Sequence, residues 1–187
     1  MQISQRDSQH GFTIVELLIV IVVIGVLAAI TIVAFNGVQQ RARDAKRISA
    51  IDTFEKAVRL YKTSYGEYPS PSTNERPACI GELADYPSVD GFSAGRCMKD
   101  GDTRGAYVDE DFNAKLREII PAIPNASYPV AYDAFRGAWY STSGDDAYIH
   151  YYDTASGGKS CGRGVIAVQP ENEAMPEGMT VCSIVLE

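Results

Sequence analysis

The sequence predicts an α+β protein in which a long N-terminal α-helix packs against a C-terminal antiparallel β-sheet. Three patterns indicate this fold class. Residues 17–35 form an uninterrupted apolar run. Apolar residues then recur every three or four positions to residue 65, which is typical of an amphipathic helix. Short strand-like segments separated by turn residues follow from residue 128 onward. We therefore expect two helix halves, 12–35 and 36–65, followed by a head at 66–187.

The composition excludes several classes of protein. The chain has 187 residues, of which 45% are hydrophobic and 22% charged, so a disordered chain is excluded and one modest head domain is expected. The net charge is −7, with +4 on residues 36–65 and −10 on residues 66–187. A general nucleic-acid binder needs clustered basic residues, so direct nucleic-acid binding is not expected. With only His10 and His150, mechanisms that need several imidazoles are nearly excluded.

The apolar run predicts a membrane-spanning helix. It has 19 residues without charge, and Thr31 is its one polar residue. Crossing a bilayer takes roughly 17–25 apolar residues, whereas the apolar core of a signal peptide has about 7–15. A buried core helix of a small soluble protein would not be apolar on every face.

Glu16 lies directly before this run. A carboxylate at the bilayer centre costs about 2.5–3.5 kcal/mol, and less near the interface. Two interpretations follow from the residues. Glu16 has a function inside an apolar environment, or it marks the wet edge of the span and is favoured by the helix N-terminus.

Residues 11–20, which read GFTIVELLIV, resemble the N-terminal signature of type IV pilins and pseudopilins. The resemblance implies that a prepilin peptidase cleaves between Gly11 and Phe12 and methylates the new amine of Phe12. Residues 1–11 would then be a cytoplasmic leader. It also implies that Glu16 pairs with the Phe12 amine of an adjacent subunit, since opposite charges offset each other's desolvation in an apolar bundle.

The basic residues after the span complicate its orientation. The positive-inside rule would place residues 41–47 in the cytoplasm, whereas the resemblance places the large C-terminal part outside. We follow the resemblance because long domains translocate largely regardless of flanking charge. The expected location is the cytoplasmic membrane before assembly and a surface filament afterwards.

The second helix half carries a regular apolar stripe. It ends near Tyr65, where Gly66 and Pro69 are typical C-terminal signals. This junction, with Tyr61, Gly66 five residues on and then Glu67-Tyr68-Pro69, also resembles that of pseudopilins and many Gram-positive-type pilins. We expect the stripe to seat the head, and the basic residues on the other faces to attract the acidic head of another copy rather than DNA. The stripe comprises Val38, Ala42, Ala45, Ile48, Ile51, Phe54, Val58, Tyr61 and Tyr65, and the basic and acidic faces comprise Arg41, Arg43, Lys46, Arg47, Glu55, Lys56, Arg59 and Lys62.

The head is predicted to combine a long loop, a short helix and an antiparallel meander at about 128–187. The loop covers residues 70–106 and the helix residues 109–120, with Pro121 after it. Strands are expected at 128–132, 137–142, 147–153, 165–169 and 179–186. Consecutive hairpins would place one face of the sheet on the helix stripe.

Four cysteines in an exported head predict two disulfides. Of the three possible pairings we favour Cys79 with Cys97 and Cys161 with Cys182, because each pair are neighbours in sequence. Zinc is the alternative, but the chain lacks a CxxC pair, so no metal or cofactor is expected.

Two further patterns in the head have ordinary structural interpretations. His150 lies in a predicted strand with Ser141 and Ser143 nearby, but nothing marks those serines as nucleophiles. Asp145 and Asp146 could bind calcium, yet a simple turn fits the pair better. We therefore expect no enzymatic activity.

The resemblance implies a structural subunit of a type IV pilus or pilus-like filament. Its partners would be prepilin peptidase, identical or related subunits, the membrane and the pilus assembly machinery. The alternatives are a pseudopilin of a type II secretion or DNA-uptake system, and a membrane-tethered binding domain that does not polymerise.

Overall fold

The computed structural model describes residues 13–72, 76–89, 91–101, 105–132, 135–153, 161–166 and 180–187. The chain divides into two compact units, Met1–Arg43 and Asp44–Glu187. Helix α1 runs from Ile14 to Tyr65, so its first part belongs to the N-terminal unit and its second part to the C-terminal unit. The predicted long N-terminal helix is confirmed.

Helix α1 ends at the signals found in the sequence. Gly66 follows the last helical residue with a φ of +85°, a conformation that glycine adopts without steric penalty. Its N–H donates to the carbonyl of Lys62 at 2.8 Å, which satisfies one of the free carbonyls of the last turn.

The C-terminal unit contains one five-stranded sheet, one two-stranded sheet and a second helix. The further elements are β1 (Ala78–Cys79), a 3-10 helix (Leu83–Asp85), α2 (Glu110–Arg117), β2 (Ser127–Tyr132), β3 (Phe135–Gly137), β4 (Trp139–Ser143), β5 (Asp146–Asp153), β6 (Val165–Ile166) and β7 (Thr180–Leu186). The α+β fold class is confirmed.

The strand order differs from the predicted meander. The five-stranded sheet has the order β1-β4-β5-β7-β6, and β2 pairs with β3 in the separate sheet. All named pairs are antiparallel. Strand β7 lies between β5 and β6, so the prediction of consecutive hairpins is wrong after β5. Residues 137–142, predicted as one strand, contribute to two sheets, because the pairing is interrupted at Ala138.

A hydrophobic core joins the second part of α1 to one face of the large sheet. Ile51, Phe54 and Val58 are buried against alternate residues of β5 and β7, including Ile149 and Ile184. Alternation along a strand places residues two apart on the same face, so the face of the sheet toward α1 is apolar. The predicted seat for the head is thus present along the middle of the amphipathic half.

The seat is shorter than the sequence stripe and includes an unexpected charge. Val38 and Tyr65 at the two ends of the stripe are exposed. Arg47, expected on a solvated face, is buried; its Nη2 lies 2.9 Å from Asp44 Oδ1, and its guanidinium stacks 4.5 Å from the centre of the Tyr128 ring. Arg47 can be buried because a planar guanidinium stacks on an aromatic face. The period of apolar residues along the helix carries no information about such a contact.

The segment predicted as a loop at 70–106 contributes to a second hydrophobic core, which includes Tyr86, Met98 and Trp139. It contains β1, the 3-10 helix and isolated β-bridges, so part of it is regular structure. Arg136 is buried beneath it and donates to the carbonyls of Tyr86, Pro87, Ser93 and Arg96. The Tyr86 and Ser93 carbonyls also accept from backbone N–H groups, so Arg136 adds a second bond there and supplies a donor to the carbonyls of Pro87 and Arg96.

Helix α2 begins where the acids predicted it to. Asp109 is the N-cap, and its carboxylate accepts hydrogen bonds from Phe112 N at 2.9 Å and from Ser72 N and Oγ at 2.7 and 2.6 Å. Burial raises the pKa of Asp109, but the Ser72 and Phe112 hydrogen bonds outweigh it and lower the pKa overall. The helix ends at Arg117, three residues before the predicted end, so residues 118–120 are not helical.

Replacement of Gly137 by alanine tests the packing of the second core. A Cβ at this position would lie 2.4 Å from Tyr86 Oη and 2.6 Å from Tyr86 Cε1, and the Tyr86 ring is fully buried. Alanine suits a strand at least as well as glycine, so any destabilisation comes from the clash. We expect the free energy of unfolding to fall by about 1–3 kcal/mol. Denaturant unfolding followed by fluorescence measures it. Ser143→Ala, at the exposed end of β4, is the control and should change stability by less than about 0.5 kcal/mol.

Candidate assembly site

The N-terminal unit presents an apolar helix that nothing within the unit covers. The segment Ile14–Thr31 has a mean hydropathy of 3.0 and none of its residues is buried. Ile14 is 81% exposed and Ile30 63% exposed. By length and composition this is the one helix in the described part of the chain that could cross a membrane. A helix that is apolar on every face requires apolar surroundings.

Thr13 and Glu16 form a reciprocal cap at the start of this helix. The Glu16 carboxylate accepts from Thr13 N and Thr13 Oγ1, both at 2.8 Å, while Glu16 N donates to Thr13 Oγ1 at 3.2 Å. This is a capping box, which satisfies free backbone N–H groups at a helix start. The sequence analysis named Glu16 but missed Thr13, although the T-x-x-E spacing is the signal that could have identified it.

The capping box leaves the carboxylate with room for another partner. Both observed bonds go to the same oxygen, Oε2. An ionised carboxylate offers about four lone-pair positions, so Oε1 can accept from a further donor. Gly11 and Phe12, the predicted processing residues, lie outside the described residues.

Two disulfides tie the head. Cys79 is bonded to Cys97 and Cys161 to Cys182, with sequence separations of 18 and 21. The first bond links β1 to the residue after Arg96, whose carbonyl Arg136 contacts. The second links Cys161, four residues before β6, to β7. These are the pairs that the sequence analysis favours.

His150 lies between two serines on the face of the sheet opposite α1. Its Nε2 lies 3.1 Å from Ser141 Oγ and its Nδ1 lies 2.7 Å from Ser183 Oγ. Burial lowers the pKa of His150 to about 4, so the ring is neutral at pH 7. A neutral ring donates from one nitrogen and accepts at the other, so the two hydroxyls satisfy it. Both ring nitrogens lie within hydrogen-bond distance of serine hydroxyls, and no carboxylate among the described residues is shown bonded to the ring, which favours the structural interpretation.

The Asp145 and Asp146 pair lies at an exposed β-turn between β4 and β5. Among the residues that the structure describes, no group of three or more His, Cys, Asp or Glu side chains could hold a metal ion. The geometry of the described residues therefore does not support calcium binding at Asp145 and Asp146.

Sequence reasoning missed an ion-pair cluster in the C-terminal unit. The Arg163 guanidinium contacts the Asp52 carboxylate and, through Nη2 at 2.7 Å, Glu55 Oε2. Tyr151 Oη donates to the Arg163 carbonyl at 2.6 Å. These contacts fasten the segment that carries Cys161 to α1. The partners are more than 100 residues apart in sequence, so no local pattern could indicate them.

Comparison with protein families finds a match within the N-terminal unit. Residues 6–32 match the family model described as the prokaryotic N-terminal methylation motif. This range includes the predicted cleavage site, the Thr13–Glu16 capping box and the apolar helix.

The relatives fall into two groups by name, type II secretion core proteins and pilins or fimbrial proteins. The chain is 39% identical over 83 residues to the type II secretion system core protein G of Escherichia coli (strain K12), a match covering 44% of this chain and 56% of that protein. It is 35% identical over 75 residues to a fimbrial protein of Neisseria meningitidis serogroup B, covering 40% and 44%. It is 30% identical over 102 residues to the type IV major pilin protein PilE1 of Neisseria gonorrhoeae, covering 54% and 50%.

These matches show a prepilin-type N-terminal motif and a similarity over part of the chain to type IV pilins and type II secretion core proteins. The chain carries the type IV prepilin motif and is a relative of both type IV pilins and the type II secretion core protein G. The resemblance drawn from residues 11–20 is confirmed. The chain spans about half the length of the curated relatives it matches. No solved structure matches it.

Peptide mapping under non-reducing conditions tests the disulfides. We expect linked peptides that join Cys79 to Cys97 and Cys161 to Cys182, and no peptide that joins Cys97 to Cys161. Replacement of either pair by serine should lower stability by about 3 kcal/mol, because each bond closes a loop of about 20 residues. A full set of free thiols in exported protein would contradict this prediction.

The stability of the head should depend on pH through His150. The folded state keeps the ring neutral to about pH 4, whereas the unfolded chain takes up a proton near pH 6.5. Lowering the pH from 6.5 to 4 therefore favours unfolding, by about 2–3 kcal/mol. Unfolding of the full chain in detergent can be followed by the fluorescence of Trp139, whose ring stacks on His150 at 5.2 Å.

His150→Gln provides the comparison for that measurement. Glutamine can hydrogen-bond to the serines but does not titrate, so the variant should lose the part of the pH dependence due to His150. Carboxylates contribute equally to both proteins and cancel in the difference. Parallel stability curves between pH 4 and 6.5 would show that His150 is not held neutral.

Proposed function

We propose that the chain is a structural subunit of a type IV pilus or pilus-like filament. The observation that supports this most directly is the uncovered apolar helix of the N-terminal unit, which begins with the Thr13–Glu16 capping box inside a prepilin motif. The apolar helix serves first as a membrane anchor and then as the core of the filament. Lipid tails and neighbouring apolar helices offer comparable surroundings, so the transfer needs little change in solvation.

Processing precedes assembly in this proposal. Prepilin peptidase removes residues 1–11 after Gly11 and methylates the amine of Phe12. The precursor is a single-pass protein of the cytoplasmic membrane with its head outside, and the assembled subunit lies in a surface filament. Residues 12–35 form the span, 36–65 the amphipathic half and 66–187 the head. The partners are the peptidase, related subunits and the assembly machinery, and the role is structural rather than enzymatic.

Glu16 sets the position of each new subunit. The Phe12 amine of an incoming subunit is a cation that enters an apolar helix bundle, where an unpaired charge is strongly disfavoured. The Glu16 carboxylate of a neighbour neutralises it and can use the oxygen that the capping box leaves open. Because only one axial offset brings the two groups together, the pair fixes the register of the filament.

A pseudopilin of a type II secretion system is the second candidate. The similarity to core protein G, at 39% identity over 83 residues, supports it. Both candidates share processing, anchoring and helix packing, so they differ in the machinery that the subunit serves. Expression in secretion-deficient and pilus-deficient bacteria separates them, since the chain should restore only one of the two phenotypes.

The capping box permits a clean test of the Glu16 charge. Glu16→Gln keeps a side-chain acceptor for the cap but removes the charge, so we expect normal cleavage and methylation with filament yield reduced more than about tenfold. Thr13→Ala removes the cap but keeps the charge. It should weaken the helix start by about 1 kcal/mol and still assemble.

Intact mass and the yield of sheared filaments are the two measurements. Wild-type subunits should lack residues 1–11 and carry one added methyl group. Filaments from Glu16→Gln at the wild-type level would contradict the charge role. A chain that keeps its first 11 residues in the presence of the peptidase would instead support the membrane-tethered binding domain.

A further inference from the structure

Two exposed arginines follow the apolar run in the N-terminal unit. The side chains of Arg41 and Arg43 are exposed, and Arg43 Nη2 donates to Gln39 Oε1 at 3.1 Å. The sequence contains no acidic residue between Glu16 and Asp44. The nearest acid, Asp44, forms an ion pair with Arg47, with 2.9 Å between Asp44 Oδ1 and Arg47 Nη2.

The spacing places both guanidinium groups near the level of lipid headgroups. Arg41 lies six residues and Arg43 eight residues beyond Phe35, the end of the apolar run. At 1.5 Å per residue their Cα atoms are about 9 and 12 Å along the helix from that end. Helical side chains lean toward the N-terminus, so both reach back toward the membrane. The headgroup layer is about 5–8 Å thick on each side of the hydrocarbon core.

The chemistry of the pair fits phosphate. A guanidinium presents its donors in a planar fork that binds phosphate oxygens in a bidentate way. Juxtamembrane basic residues attract anionic lipids in a manner that falls off within a Debye length. Basic residues on the exported side also oppose the positive-inside tendency. Their presence there is explained if they bind something on that side.

We propose that Arg41 and Arg43 bind the phosphate groups of anionic phospholipids in the leaflet that faces the head. The proposal rests on the membrane anchorage given under the proposed function. The contact holds the unassembled subunit at a fixed depth in the bilayer. It also keeps the basic segment at the membrane surface until the subunit leaves the lipid.

The test uses the full chain reconstituted in vesicles with spin-labelled phosphatidylglycerol or spin-labelled phosphatidylcholine as probe. Electron spin resonance gives the fraction of each lipid that is immobilised at the protein. We expect about a fivefold preference for phosphatidylglycerol over phosphatidylcholine. In 1 M NaCl the ratio of the two immobilised fractions should fall toward one. Arg41→Gln/Arg43→Gln should remove the preference, and Arg41→Lys/Arg43→Lys should retain part of it because the charge remains.

Lys56→Gln/Lys99→Gln is the matched control. It removes the same charge at two exposed lysines outside the N-terminal unit and should leave the preference unchanged. Equal loss in the control, or a preference that survives in Arg41→Gln/Arg43→Gln, would overturn the lipid site. A third result would also overturn it. If the wild-type chain shows no lipid preference and Arg41→Gln/Arg43→Gln weakens self-association, the arginines bind an acidic surface of a second copy instead.

Failure of this proposal is distinguishable from failure of the proposed function. The measurement needs neither the peptidase nor a filament, and it reports only on lipid selectivity at the anchored chain. A subunit that assembles normally but shows no lipid preference refutes the lipid site alone. A chain that shows the preference but never assembles refutes the filament role alone.

Discussion

The uncovered apolar surface of α1 is the constraint on which the rest of the molecule depends. No residue of Ile14–Thr31 is buried by its own unit, so water is not a stable environment for this segment. Two environments satisfy it, lipid and a bundle of similar helices, and both are apolar. A filament subunit needs both in succession. The roles proposed above for the polar groups at its two ends, Glu16 before it and Arg41 and Arg43 after it, each belong to one of these environments.

The head is built to be stable without that helix surface. Its first core lies between the second part of α1 and the sheet, and its second core lies on the opposite face beneath the segment crossed by the Cys79–Cys97 bond. Charged side chains inside it are matched to local groups. Arg136 is surrounded by backbone carbonyls and Asp109 by backbone and serine donors. Buried charge matched in this way fixes the conformation of loops that apolar packing alone would leave undetermined.

The sequence predicted features that arise from local pattern and missed those that arise from distant pairing. The bounds of α1 follow from periodicity and from Gly66 and Pro69, so the structure agrees with them. The start of α2 follows from Asp109 as an N-cap. The position of β6 beyond β7 depends on contacts across the sheet, which alternation within a strand does not encode. The burial of Arg47 depends on the Tyr128 ring, which is distant in the sequence.

The same distinction applies to the candidate site. The residues of the N-terminal motif, Gly11, Phe12 and Glu16, could be named because residues 11–20 resemble the pilin signature. Thr13 was overlooked, although its distance of three residues from Glu16 carries the capping signal. The contact of Arg163 with Asp52 and Glu55 could not be predicted from a local sequence pattern. It joins a short segment after β5 to the second part of α1, more than 100 residues earlier in the sequence.

The position of β7 has a consequence for export. This strand is inserted between β5 and β6, and its cysteine closes the Cys161–Cys182 bond. If the head is exported as proposed, β5 and β6 each lack the strand that joins them in the described sheet until residues 180–186 have crossed the membrane. The large sheet therefore cannot close around a partly translocated chain. In the proposed export, the sheet would be completed only after its last strand had crossed, and the chain would stay unfolded enough to be translocated until then.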